Sequence, residues 1–461
     1  MTTEFNPYES PETSVEPIIA PIAEETSQGH PIAFLYFFWG EFAERCSYYG
    51  MRAILPMYLS AGLHFSDKTG GTIYYWFKMA CYGLPLLGGF LADRYFGRYR
   101  TIVGFAVPYV LGHFILGIES TTAAVIALIL LAGGSGVIKP NISTLMGQTY
   151  DQKRPGQTQL RSAAFLWFYF AVNVGALVST LTLPWLRDRY GYGVAFQFPA
   201  WLMVISLAIF ALGKKHYATE SLSYETPTPE QRREQWSMVS KLLGIFGLMV
   251  LFWVPYEHND SIWVYFARDY IAMPRVPLIS SVPLAPDQLQ FLNPLCVMIF
   301  APFFSWFFPQ IDPQARIFTA KTKIMLGFAL GAASSIVMTI AGFLATPEAK
   351  ISVGWLIAAY ILLTIGEVLV YGTGLDLAFS AAPEKMKGFV TGCFLLTSTI
   401  ANFFNAFWVQ FYGGSLKDAV ELRGALSPGV FFGVSGLFVL AAAVAMLLMN
   451  RNEETTPKAA S

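Results

Sequence analysis

Apolar runs of about twenty residues recur along most of the chain, separated by short polar breaks. They cover 32–62, 72–92, 100–118, 122–147, 162–185, 195–213, 239–267, 286–309, 324–345, 351–380, 388–412 and 428–449. Runs of this length match the hydrocarbon thickness of a bilayer, where helices satisfy their backbone amides internally. The pattern predicts an all-α polytopic membrane protein of about twelve spans. One sizeable polar break, 214–238, divides the spans six and six, as expected of two six-helix bundles facing each other across a cavity.

The expected organisation is a tail at 1–29, a first bundle at 30–213, a linker at 214–238, a second bundle at 239–449 and a tail at 450–461. Residues 1–29 hold six glutamates and no Lys or Arg. That is the opposite of a secretory signal's basic start, and it reads as a disordered acidic tail. Such a tail either modulates access or is passively solvated.

Composition sharpens the picture. The chain is 54% apolar and 13% charged, against about 25% charge in a soluble protein. Net charge is zero, so nothing draws it to nucleic acid. Cys46, Cys81, Cys296 and Cys393 lie in apolar spans without metal-ligand spacing, and the histidines are dispersed, so no metal or other cofactor is expected. With both termini cytoplasmic, about eighteen Lys and Arg fall on the cytoplasmic side and about eight on the other. The positive-inside bias supports that orientation.

Charges inside the spans are the candidate chemistry, since each costs roughly 2.5–3.5 kcal/mol at the centre of a spanning helix. In the first span Glu41, Glu44, Arg45, Tyr48, Tyr49 and Arg52 fall within an arc of about 140° at helical spacing. Phe37, Phe38 and Trp39 are read as lipid-facing. Lys139 sits in G-S-G-V-I-K-P-N of the fourth span, Glu257 in F-W-V-P-Y-E-H-N-D-S of the seventh and Glu367 in L-T-I-G-E-V-L-V-Y of the tenth. The first half thus supplies mostly cations and the second half carboxylates, a suitable pair of walls for a zwitterion. Any single charge could instead be a structural ion pair. Lys78 in the second span could snorkel or pair structurally, although it shares a face with Tyr82.

A second motif, G-G-F-L-A-D-R-Y-F-G-R-Y-R at 88–100, joins a glycine-packed helix end, an acid and a tight basic turn. Asp93 could cap or pair with a neighbouring helix end in one conformation and release it in another. The alternative is a positive-inside anchor.

E-F-A-E-R-C-S-Y-Y-G at 41–50 resembles the E-x-x-E-R-F-x-Y-Y-G signature of the proton-dependent oligopeptide transporters, the POT/PTR family. The run Gly89, Asp93, Arg94, Gly97 and Arg98 resembles motif A of the wider major facilitator superfamily. G-V-I-K-P-N at 136–141, F-Y-F-A-V-N-V-G-A-L at 168–177, L-N-P at 292–294 and G-E at 366–367 also match. The resemblance implies a major facilitator fold with alternating access. It implies proton-coupled symport of di- and tripeptides by a monomer, a transporter and not an enzyme, in a bacterial inner membrane.

By position, the resemblance assigns Glu41, Glu44 and Arg45 to proton coupling, clustered with Lys139. It gives Arg52 and Lys139 the peptide carboxylate and Glu367 the amine. Glu257 becomes a proton site that can bridge Arg52; Asp260, which departs from the family pattern, lies one turn on and could share its proton. Tyr48, Tyr49, Tyr82, Asn173 and Asn293 become pocket residues.

Four departures bear on substrate preference: Cys46 for the usual Phe, E-H-N-D-S at 257–261, Tyr371-Gly372 for a usual Ser-Pro, and Phe394 for a usual Trp. A relative with changed cargo (nitrate, an amino-acid derivative or a drug) is the competing transporter. A membrane-embedded enzyme would need a nucleophile–base set, a His-rich metal site or a nucleotide loop, and the sequence offers none.

Overall fold

Among the described residues, twelve α-helices build the fold, and their ends follow from capping chemistry and proline. The computed structural model describes residues 29–220, 228–275, 283–346, 348–380, 387–413 and 425–455. Of the expected acidic tail only Gly29 is among the described residues, and 221–227 of the linker and 456–461 of the closing tail lie outside them.

The first half comprises α1 (Ala33–Met57), α2 (Asp67–Leu91), α3 (Arg98–Leu116), α4 (Thr121–Lys153) and α5 (Thr158–Leu212). Ser66 and Ser120 cap α2 and α4 by accepting the Thr69 and Ala123 amides, each at 3.2 Å. The long α5 reverses at Gly191, where φ is 84° and ψ 170°. Only glycine adopts that conformation readily, so α5 makes two crossings.

The second half comprises α6 (Pro229–Tyr256), α7 (Ile262–Tyr270), α8 (Leu292–Ile311), α9 (Ala320–Leu344), α10 (Gly354–Ser380), α11 (Lys387–Trp408) and α12 (Pro428–Thr455). Thr228 and Gln231 form a capping box at the start of α6. A 3₁₀ turn, Glu257–Asp260, separates α6 from α7 within one crossing. Pro255 just before it lacks the amide that would continue the ladder. With α5 counted twice and α6–α7 once, the described helices make the two six-helix bundles of a major facilitator fold.

Among the described residues, eight helices are long and apolar enough to cross a membrane on length and composition alone. The first two helices are not among them. Four charges interrupt α1 and Lys78 interrupts α2.

Within the first bundle α1 packs on α5, and α4 lies against α2 and α3. A Cβ on Gly88 would sit 2.6 Å from the Val137 Cα, so α2 and α4 touch backbone to backbone there. In the second bundle α9 packs between α10 and α12. Phe37, read as lipid-facing, is buried against Phe210 and Tyr217, at ring centroid distances of 6.2 and 4.7 Å. Trp39 is exposed as expected.

Across the bundle interface α2 runs along α11. The face carrying the α1–α2 connection is closed by polar contacts between the halves. Arg268 grips Asp67 at 2.7 and 3.1 Å, and Arg187 grips Asp287. Gln290 donates to the Ala53 carbonyl at 3.0 Å, Gln288 to that of Leu181 at 2.9 Å and Tyr265 to that of Pro56 at 3.2 Å. Toward the opposite face, which carries Gly29 and Glu220, a cavity of about 510 Å³ opens from Glu367 and Tyr371 past Tyr169, Phe304 and Phe308 to Lys323.

Candidate functional site

The ionic stripe of α1 folds into two separate clusters. In the first, the Arg45 guanidinium is buried between Glu41, at 2.9 Å, and Glu44. Tyr109 of α3 donates to Glu44 at 3.2 Å. All four lie inside the first bundle. Lys139 makes no ion pair with these carboxylates among the described residues. Its Nζ stands 5.2 Å from the Tyr82 ring centroid, a cation–π contact on the same bundle.

The second cluster crosses between the bundles. Lys78 reaches from α2 to Glu257 and, at 2.6 Å, to Asp260. Arg52 meets Asp260 at 3.0 Å and lies 4.9 Å from the Tyr49 ring centroid. Glu257 also accepts from Ser398 of α11 at 2.7 Å. The 3₁₀ turn explains why one lysine reaches both acids, because residues three apart eclipse in a 3₁₀ helix. The expected bridge from Arg52 to Glu257 is therefore replaced: Arg52 takes Asp260 and Glu257 takes Lys78. Lys78 does not snorkel, being buried and paired with the opposite bundle.

Glu367 lies one layer further toward the cavity. Asn293 of α8 donates to it at 2.6 Å and to Thr364 at 3.3 Å. A recess of about 70 Å³ joins Tyr82 on the first bundle to Glu257, Glu367, Tyr256 and Trp253 on the second. Tyr371 and Phe394, two of the departures, pack together on its wall with centroids 5.5 Å apart. Tyr48 is buried beside Tyr49, at 5.3 Å. Asn173 is turned to its own helix, donating to the Tyr169 carbonyl at 2.9 Å.

The motif at 88–100 forms a separate cluster at the end of α2. Asp93 pairs with Arg98 of the same motif at 2.6 Å, and Arg98 donates to Asn141 of α4 at 3.1 Å. Gly97, with φ 77°, turns the chain into α3. Glu220 caps that helix by accepting the Arg98 and Tyr99 amides at 2.9 and 3.1 Å. The Arg94 guanidinium lies over the Phe90 and Tyr95 rings. Of the two glycines at the motif's start, Gly88 makes the close approach to α4, and Gly89 faces open space.

Sequence reasoning undervalued Lys78 and did not single out Ser398, Tyr109 or Glu220. Lys78 carried a usable signal, since a lysine in mid-span on the face of Tyr82 needs a partner. Glu220 carried none, because its partners are backbone amides.

Helical crossings in two six-helix halves, with two carboxylates lining a mid-depth recess and Lys139 stacked on its Tyr82, define a polytopic membrane protein of the major facilitator fold. The model of the POT family matches residues 99–229 and 219–419, more than half of the sequence, and the chain belongs to that family. It is 28% identical over 392 residues to solute carrier family 15 member 2 of Oryctolagus cuniculus, covering 71% of this chain and 51% of that protein. It thus spans about half the length of that mammalian relative. Dipeptide and tripeptide permease A of Chromobacterium violaceum is 26% identical over 428 residues, covering 81% of this chain and 83% of the permease. The crystal structure of the POT family transporter PepTSo superposes with a TM-score of 0.82 at 27% identity, covering 93% of this chain and 99% of that one.

Proposed function

We propose that the protein is a monomeric proton-coupled symporter that imports di- and tripeptides by alternating access. Its home would be the bilayer of a bacterial inner membrane, with both termini cytoplasmic. The observation that carries this is the recess between the halves. Glu367, held by Asn293 on the second bundle, shares it with Tyr82 of the first, whose ring carries Lys139 in a cation–π contact. A peptide's ammonium and carboxylate need opposite charges at two ends of one small cavity. Membership of the POT family and the name of the Chromobacterium violaceum permease agree with that chemistry.

Glu367 would receive the amine, and Lys139 with Arg52 the carboxylate. Glu257 and Asp260 would carry the transported proton, with Glu41, Glu44 and Arg45 supporting coupling from inside the first bundle. The Asp93–Arg98 pair would act as the latch of motif A. With the α1–α2 face outward, the closed contacts there and the cavity toward Lys323 correspond to an inward-facing state.

Calorimetric titration with a dipeptide, its N-acetylated form and its C-terminal amide tests this assignment. The free dipeptide should bind tightest and both blocked forms should weaken. Equal binding of all three would overturn peptide recognition and favour a changed cargo.

A further inference from the structure

Resting on that transport assignment, we propose that Tyr371 is a specificity-determining residue. Its ring walls the peptide recess off from the large cavity and restricts the first residue of the peptide to a small side chain.

The two cavities define the wall. The recess holds about 70 Å³ and the cavity about 510 Å³, and among the described residues Glu367 and Tyr371 alone line both. These two are one helical turn apart on α10 and so share a face. α10 starts at the α1–α2 face, where Ile351 pairs with Ile271 just beyond Arg268. Tyr371 therefore lies on the cavity side of Glu367. Aromatic neighbours fix its ring, with centroids 6.2 Å away at Trp253 and 5.5 Å away at Phe394. Both neighbours are buried. Trp253 donates to Thr397 Oγ1 at 3.1 Å, and Phe394 packs on Phe246 at 6.2 Å. Tyr371 itself is 40% exposed and borders the cavity.

Peptide chemistry converts this wall into a preference. The first side chain leaves from the carbon that bears the ammonium. An ammonium on Glu367 therefore brings that side chain beside Tyr371. The second side chain starts one residue on, about 3.8 Å further along the backbone. A water-sized group needs roughly 10–15 Å³, so the 70 Å³ recess holds about five to seven non-hydrogen atoms. That admits an alanine residue and falls well short of a phenylalanine residue. The volume a phenyl ring needs lies beyond Tyr371, between Tyr169, Phe304 and Phe308. Tyr371 stands where the family pattern has Ser. A serine would remove the ring from between recess and cavity, so the restriction belongs to this chain.

Calorimetric titration of the full-length protein in detergent with Ala-Ala, Phe-Ala and Ala-Phe tests the wall. Wild type should bind Phe-Ala about tenfold more weakly than Ala-Ala, the lower end of what burying an aromatic side chain is worth. Tyr371→Ala should raise the affinity for Phe-Ala relative to Ala-Ala by about tenfold. Tyr371→Leu, which keeps an apolar packing surface and serves if the alanine variant does not fold, should give part of that gain. Tyr371→Phe retains the ring and should keep the wild-type ratio. The ratio of Ala-Phe to Ala-Ala should be the same in all of these proteins. The proposal is overturned if wild type binds Phe-Ala as tightly as Ala-Ala. It is also overturned if folded Tyr371→Ala, or failing that Tyr371→Leu, keeps the wild-type ratio, or if Ala-Phe gains as much as Phe-Ala. Those results leave peptide recognition standing. Absence of Ala-Ala binding by folded wild type would sink peptide recognition itself, and the proposal with it.

Discussion

Asn293 of α8 donates to Glu367 of α10 at 2.6 Å, and both line the mid-depth layer between the bundles. The amide fixes one carboxylate oxygen and leaves the carboxylate directed at the recess it shares with Tyr82 and Tyr256. An acid held this way is a prepared receptor for an ammonium group, with no reorganisation needed on binding.

Glu367→Gln keeps the shape and removes the charge. Dipeptide affinity should fall by about 1.5–3 kcal/mol, the range for a charged hydrogen bond, or roughly ten- to hundredfold. N-acetylation of the peptide should cost wild type a similar amount and cost the variant little. Calorimetry over the four combinations checks this, and additive losses would exclude a Glu367–amine contact.

At the other end of the peptide, amidating the C-terminus should weaken binding by about 1.5–3 kcal/mol in wild type. Lys139→Gln should abolish most of that discrimination, because Lys139 has no carboxylate of its own among the described residues to satisfy first. Arg52→Gln should have a smaller effect at neutral pH, where Arg52 is engaged by Asp260 at 3.0 Å. Competition assays with free and amidated dipeptides distinguish the two cations.

Arg45 is the keystone of a fully buried charge cluster. Arg45→Ala leaves Glu41 and Glu44 without their cation and should destabilise the protein by about 3–5 kcal/mol. Replacing all three by Met should recover most of the unfolding midpoint in detergent while transport stays lost. Recovery of transport in the triple variant would reduce the cluster to packing.

Gly88→Ala should loosen the α2–α4 contact, since the new methyl meets the Val137 backbone at 2.6 Å. Overpacking of this kind costs about 1–3 kcal/mol. Gly89→Ala, directed at open space, should lie within about 0.5 kcal/mol of wild type. Thermal unfolding of the pair in detergent separates a packing glycine from a merely adjacent one.

The spans were legible in the sequence because hydrophobic length alone reports them, and the stripe of α1 because its members lie on successive turns. Pairing was less legible. Lys78 and Glu257 are 179 residues apart, and no local pattern says which cation an acid in another bundle will meet. Arg52 was assigned to Glu257 by family resemblance. The 3₁₀ turn, announced only by Pro255, aligns Asp260 with Glu257 and redistributes the partners. Phe37 was misread because a helix inside a bundle is apolar on both its lipid and its packed sides.

The most direct test of proton-coupled peptide import is uptake of a labelled dipeptide into proteoliposomes at matched internal and external peptide concentrations, with and without an inward proton gradient. Accumulation above the external concentration should appear with the gradient, collapse on adding a protonophore, and disappear in the Glu257→Gln, Asp260→Asn double variant, with peptide exchange retained. Accumulation that is indifferent to the gradient, or undiminished in the double variant, would contradict coupling through the inter-bundle carboxylates.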